Sequence, residues 1–280
     1  MIPFNIAFGF FAILAAALFD VLSKYNEVPD WLSYGTIIVG IISSLMASIL
    51  YSDYHFILYS LIGAAIGFLI GGLLYWLNQW GGADFLFLIG IGSLIGFNYH
   101  EKVSILLVTI INIFIMGAVL GALFSFYQAI KHWKKFKEEF KTHIRTPYMI
   151  KTRAMVAIFS IIMIVIALFQ ELFIKVLMIG FAALVFFMFY FYVFTKVVEK
   201  TALVKSLPVK ELTEGDWLME NVTIGKKTIF AKKAIDKNQL TLLKKHKKKV
   251  LVRYGMPFLP SFLAGYILTI IIGNWFYLLL

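Results

Sequence analysis

The sequence predicts an all-α polytopic membrane protein of about eight transmembrane helices, with a small cytoplasmic α/β domain before the last helix. Three observations carry this expectation. Of 280 residues, 61% are hydrophobic and only 15% charged; a soluble domain of this size could not be so apolar without exposing large sticky patches. The apolar residues fall in eight runs, at about 2–21, 31–51, 55–78, 84–98, 103–130, 154–170, 172–195 and 257–279, and a helix of about 20 apolar residues crosses a bilayer core. The basic residues concentrate in the stretches after the first, fifth and seventh runs.

The first run, Pro3 to Phe19, ends at Asp20. It has no basic region before it and no small-residue cleavage site after it, so it reads as a retained helix rather than a signal peptide. In the following loop, Lys24 to Trp31, Pro29 separates the first helix from the second. Asp30 is placed to cap that second helix. Asp30 and Lys24 are alternatively candidate substrate contacts. The third run carries Ala64, Gly67, Gly71 and Gly72, and the short fourth run carries Gly90 and Gly92; small residues so spaced let helices approach closely. The fourth run opens with Gly81-Gly82-Ala83-Asp84. Gly81, Gly82 and Ala83 allow a tight turn and the approach of an extended chain.

Residues 1–130 form the expected catalytic membrane core. Residues 131–153 read as a basic extension of the fifth helix that ends near Pro147. Within it, Trp133, Phe136 and Phe140 make an amphipathic stripe suited to the lipid interface. Residues 154–195 are the sixth and seventh helices, split by a turn near Gln170-Glu171. Residues 196–253 form the cytoplasmic domain, with a turn at Glu214-Gly215-Asp216 and strands near Trp217 to Val222 and Thr228 to Ala231. A helix follows from Asp236 to Lys249, with Asp236 as its N-cap. Residues 254–280 hold the last transmembrane helix.

Charge sets the orientation. Of 26 Lys and Arg, all but Lys102 and Lys175 fall on one side if Met1 lies outside. By the positive-inside rule that side is cytoplasmic. Asp20 and Asp84 then sit at the cytoplasmic ends of the first and fourth helices, at one membrane depth. A carboxylate at the centre of a membrane helix costs roughly 2.5–3.5 kcal/mol, and less near the interface. Two such acids at one level suggest a working pair. Aspartyl proteolysis needs this arrangement. One carboxylate takes a proton from the attacking water, while a second, protonated carboxyl donates to the scissile carbonyl. Like charges that close cannot both ionise, so the pair shares a proton and titrates as a unit.

Asp20, Val28-Pro29-Asp30-Trp31 and Gly81-Gly82-Ala83-Asp84 together resemble the type IV prepilin peptidase family, within the GxGD-type intramembrane aspartyl proteases. More narrowly, they resemble its archaeal prepilin and preflagellin (archaellin) peptidases. The stretch from Arg253 to Leu263 is similar to the entry into the last helix of archaeal members, and Leu212 to Leu218 to part of their cytoplasmic domain. The resemblance implies Asp20 and Asp84 as catalytic residues and Gly81 as the first motif glycine. Ala83 stands where the second glycine is expected, Leu86 where a lysine often follows, and the gap from Asp20 to Pro29 is slightly long. It also implies pilin-like or archaellin precursors as partners, cut between a short basic leader and a hydrophobic helix at the cytoplasmic face of the cell membrane. No cofactor is expected. Bacterial members often add N-methyltransferase activity and a Cys-rich zinc loop; with no cysteine in this chain, peptidase activity alone is expected.

Other classes fit less well. The five histidines are scattered and no cysteine is present, so no metal site is expected. The basic loops are explained by topology and anionic headgroups of the lipid bilayer, and no recognition module points to nucleic acid. The main alternative reading is a proton- or cation-coupled transporter using the Asp pair; a third, a non-catalytic membrane scaffold whose cytoplasmic domain recruits partners, leaves the paired acids unexplained.

Overall fold

The computed structural model describes residues 3–22, 28–77, 79–212, 215–224, 227–229, 235–246, 249–253 and 256–278. The chain forms two compact units, Met1–Ala122 with Met256–Leu280, and Leu123–Gly255. The first half contributes α1 (Pro3–Leu22), α2 (Asp30–Leu50), α3 (His55–Trp76), α4 (Gly82–Ile95) and α5 (Ile105–Lys131). Then come α6 (Trp133–Ile144), α7 (Pro147–Leu168), α8 (Leu172–Ala202), β1 (Val204–Pro208), β2 (Trp217–Leu218), β3 (Val222–Ile224), β4 (Lys227–Ile229), α9 (Lys237–His246) and β5 (Lys249–Arg253). The last helix, α10 (Leu259–Ile272), returns to the first unit.

Each of the eight apolar runs forms a helix, but among the described residues only α1, α2, α3, α5, α7 and α8 are long and apolar enough to cross a membrane. Helices α4 and α10 have 14 residues each, a rise of roughly 21 Å against a hydrocarbon core of about 30 Å. A glycine stops each of them. Gly96 (φ 73°) and Gly273 (φ 68°) take left-handed conformations that other residues adopt at a cost.

Within the first unit, α4 is the buried element. Its Phe87, Leu88 and Ile91 are fully enclosed, and it packs against α2, α3 and α1. The α3 face turned towards it is Ser60, Gly63, Gly67 and Gly71, a stripe at helical spacing. A Cβ on Gly63 would run into the carbonyl of Gly92, and one on Gly92 into the carbonyl of Gly63. Backbone therefore meets backbone, as small residues in membrane helices permit. The close approach uses Gly63 in addition to Gly67, Gly71 and Gly92, while Gly72 meets only the Phe85 ring at ordinary contact distance. On the other flank Gly90 fits under Thr36, and Gly40 under Ser93 and Leu94.

Helix α10 docks on α1 and α5. The Tyr266 hydroxyl donates to the Ile6 carbonyl at 3.1 Å. Asn112 on α5 donates to the Thr269 hydroxyl at 2.9 Å and accepts from the Trp275 indole at 3.1 Å. Gly265 lies against the backbone of Ile113. Asn112, Thr269 and Trp275 thus satisfy one another within an apolar bundle.

In the second unit, several sequence expectations change. Residues 133–144 are a separate helix, broken from α5 at His132 (φ −110°, ψ 29°). Pro147 does not end a helix; it opens α7, where its fixed φ and missing N–H cost nothing. The aromatic stripe is largely a helix–helix contact. Phe136 is buried and, with Phe140, packs in a cluster with Phe189, Val193 and Val197 of α8, while Trp133 stays exposed. The strand-containing region pairs β1 with β5 and β5 with β2, antiparallel, beside a β3–β4 hairpin. Its core joins Val209, Leu212, Leu218, Ile229, Ile235, Leu243, Val250 and Val252. Asp236 caps α9 reciprocally with Gln239 (2.7 and 3.2 Å). Its described residues run to His246, and Lys249, where the sequence places the helix end, instead pairs with Pro208 in the sheet. Glu214, Phe230 and Ala231 lie outside the described residues.

Candidate active site

Asp20 continues the buried stripe of α1. Ile13, Ala16 and Ala17 are buried at helical spacing ahead of it, and Asp20 itself is 7% exposed, while Phe19 and Val21 on either side are open. The carboxyl therefore faces the bundle, the side on which membrane acids are tolerated. Its Oδ2 accepts a 3.0 Å hydrogen bond from the backbone N–H of Leu259, the first residue of α10. The first-turn N–H groups of a helix have no acceptor within the helix, and the positive end of the helix dipole favours an anion there.

Asp84 sits in the first turn of α4. Gly81 is the extended N-cap (φ −78°, ψ 168°), and its N–H donates to Asp84 Oδ2 at 3.0 Å. The acid thus satisfies one orphan donor of its own helix. Both carboxyls are seated on helix N-termini, each on one of the two short helices. The antiparallel packing of α3 and α4 sets the level. Phe85 lies beside Gly71 and Gly72, so Asp84 falls about one turn inside the end of α3 at Trp76.

The two acids share packing partners. Trp80, four residues before Asp84, packs its ring 5.4 Å from both Phe258 and Phe262 and 5.6 Å from Phe114. The loop that presents Asp84 therefore leans on the same turn of α10 that holds Asp20. Phe258, Phe262, Leu259, Ala17 and Ala83 share one apolar cluster.

Residues 7–126 match the sequence model of the type IV leader peptidase family. The matched segment contains Asp20, Asp84 and the α4 N-cap, and it ends within α5. No curated protein and no solved structure matches the chain.

The remaining sequence candidates separate. Gly81 and Gly82 are exposed, and neither takes a positive φ; a Cβ on Gly82 would meet nothing within 4 Å. Ala83 lies inside α4, so its Cβ brings no backbone strain. Asp30 is the first residue of α2, exposed, with Pro29 at the N-cap; its charge suits the helix dipole there. Lys24 lies outside the described residues. Among the described residues, no three His, Cys, Asp or Glu side chains come together in a way that could hold a metal ion. The sequence assigned no role to Leu259 or Trp80; the stretch Arg253 to Leu263, with Pro257 and Pro260, marks a helix start but not what its N–H groups hold.

Proposed function

We propose that the chain is a membrane aspartyl endopeptidase that removes the short basic leader from type IV pilin-like or archaellin precursors. The observation that carries this reading is the seating of two carboxyls, Asp20 and Asp84, in one apolar neighbourhood within the segment that matches the type IV leader peptidase family. Asp20 and Asp84 share a proton; one activates the water and the other protonates the scissile carbonyl. Neither role is fixed to one residue. The open space over Gly82 receives an extended substrate backbone next to Asp84.

The further details of the reading follow the sequence. The N-terminus is outside and the acids face the cytoplasm, as the basic loops favour. The archaeal branch is favoured by the stretch from Arg253 to Leu263, and hydrolysis is the only reaction expected.

The test is co-expression with a panel of tagged pilin-like and archaellin precursors, with leader removal read on a gel. Wild type should shorten at least one precursor. Asp20→Asn and Asp84→Asn should each abolish the shortening at normal protein levels. Cleavage that survives either substitution ends the dyad assignment.

A further inference from the structure

We infer that the entrance of α10, through the backbone N–H of Leu259, is a positioning element for Asp20, so that the working site needs a helix outside the matched segment 7–126. The inference rests on the peptidase reading for its catalytic consequence, but the contact itself does not.

Three observations support it. The Leu259 N–H donates to Oδ2 of Asp20 in a buried setting. The backbone N–H of Phe258, beside it in the same turn, is a second contact of that carboxyl. A donor fixed in a helix backbone cannot swing or ionise, so it sets the orientation of the acid more firmly than a side chain could. The same turn of α10 carries Phe258 and Phe262, on which Trp80 packs. One short segment thus fixes Asp20 directly and the loop leading to Asp84 through an aromatic contact. Finally, α10 is anchored well away from the acids, by Tyr266 on Ile6 and by the Asn112, Thr269 and Trp275 network. Its entrance is held from behind, which a positioning element requires.

The test compares full-length Leu259→Pro with Leu259→Ala. Leu259 is the first residue of α10, so the proline variant deletes its N–H while the helix can continue after it; Phe258, at φ −103° and ψ −23°, must become more extended before a proline, and amide exchange at Leu259 therefore decides the contact independently. The alanine variant removes most of the buried side chain and keeps the N–H. With a cleaved precursor as substrate, Leu259→Pro should lose about tenfold to a hundredfold in kcat with KM within about twofold, and Leu259→Ala should lose much less. Equal losses in the two would assign Leu259 to packing alone and overturn the inference, as would an unimpaired Leu259→Pro.

A second measurement needs neither proline nor activity. Amide hydrogen exchange at Leu259, followed by mass spectrometry, should be slow in wild type and in Asp84→Ala, and fast in Asp20→Ala. Unchanged exchange in Asp20→Ala rejects the contact. If wild type cleaves no precursor, the peptidase reading fails, while the exchange result still decides whether α10 holds Asp20.

Discussion

The backbone N–H of Leu259 donates a 3.0 Å hydrogen bond to Oδ2 of Asp20 across 239 positions of sequence. The last helix thereby closes the first unit onto the first helix, although residues 123–255 intervene. The bond makes Asp20 part of the fold as well as of the site. Asp20→Asn keeps an acceptor oxygen and should melt close to wild type in detergent. Asp20→Ala leaves a buried donor without a partner and should lose about 1–3 kcal/mol. Thermal unfolding of the two variants side by side checks this, and equal melting would show that the bond adds nothing.

Backbone contact between α3 and α4 makes a second, sharper expectation. Gly63 and Gly92 each sit where a Cβ would strike the other's carbonyl. Gly63→Ala and Gly92→Ala must push the helices apart, at about 1–3 kcal/mol each. Gly35→Ala serves as the comparison, since a Cβ there meets nothing within 4 Å. It should match wild type. Melting temperatures and yields of the three variants decide, and a Gly63→Ala protein as stable as Gly35→Ala would refute the packing.

The features legible in the sequence were those carried by residue type. Asp20 and Asp84 stand out because charge is rare in apolar runs, and Gly67, Gly71, Gly90 and Gly92 mark close packing because a Cβ at each would crowd the neighbouring helix. What remained hidden depended on backbone conformation or on partners distant in the chain. The shortness of α10 is set by the left-handed Gly273, which hydropathy does not register. Pro147 reads equally as a stop or a start until its N1 position is known. Phe136 and Phe140 suit lipid or protein alike, and only the position of α8 decides between them. The Leu259 N–H is invisible in principle, because nearly every residue has one.

Gly82 separates fold from function. It is exposed, with open space around its Cα, and it starts α4. Gly82→Val should leave stability within about 1 kcal/mol of wild type. If a substrate backbone passes there, the same substitution should raise KM several-fold for a cleaved precursor while melting stays put. A Gly82→Val enzyme with unaltered KM would remove this face from the substrate path.

On the connection between α2 and α3, Asp53 gives a pH test. Its Oδ1 accepts from the backbone N–H of His55 at 2.9 Å and lies 2.6 Å from Nδ1 of the ring. The backbone hydrogen bond from His55, then the side-chain one, hold the Asp53 carboxyl below the usual carboxylate range. Its folded value is therefore lower than its unfolded one. The stabilisation is present above the unfolded value of about 3.9 and fades as pH falls through the folded value. Asp53→Ala removes the acceptor, so wild type should melt higher than the variant at pH 5, and the gap should narrow by pH 3. The group is at the surface, so salt will weaken the charged part of the effect. A gap that is absent at pH 5, or that widens on acidification, would show that Asp53 does not stabilise the start of α3 through its charge.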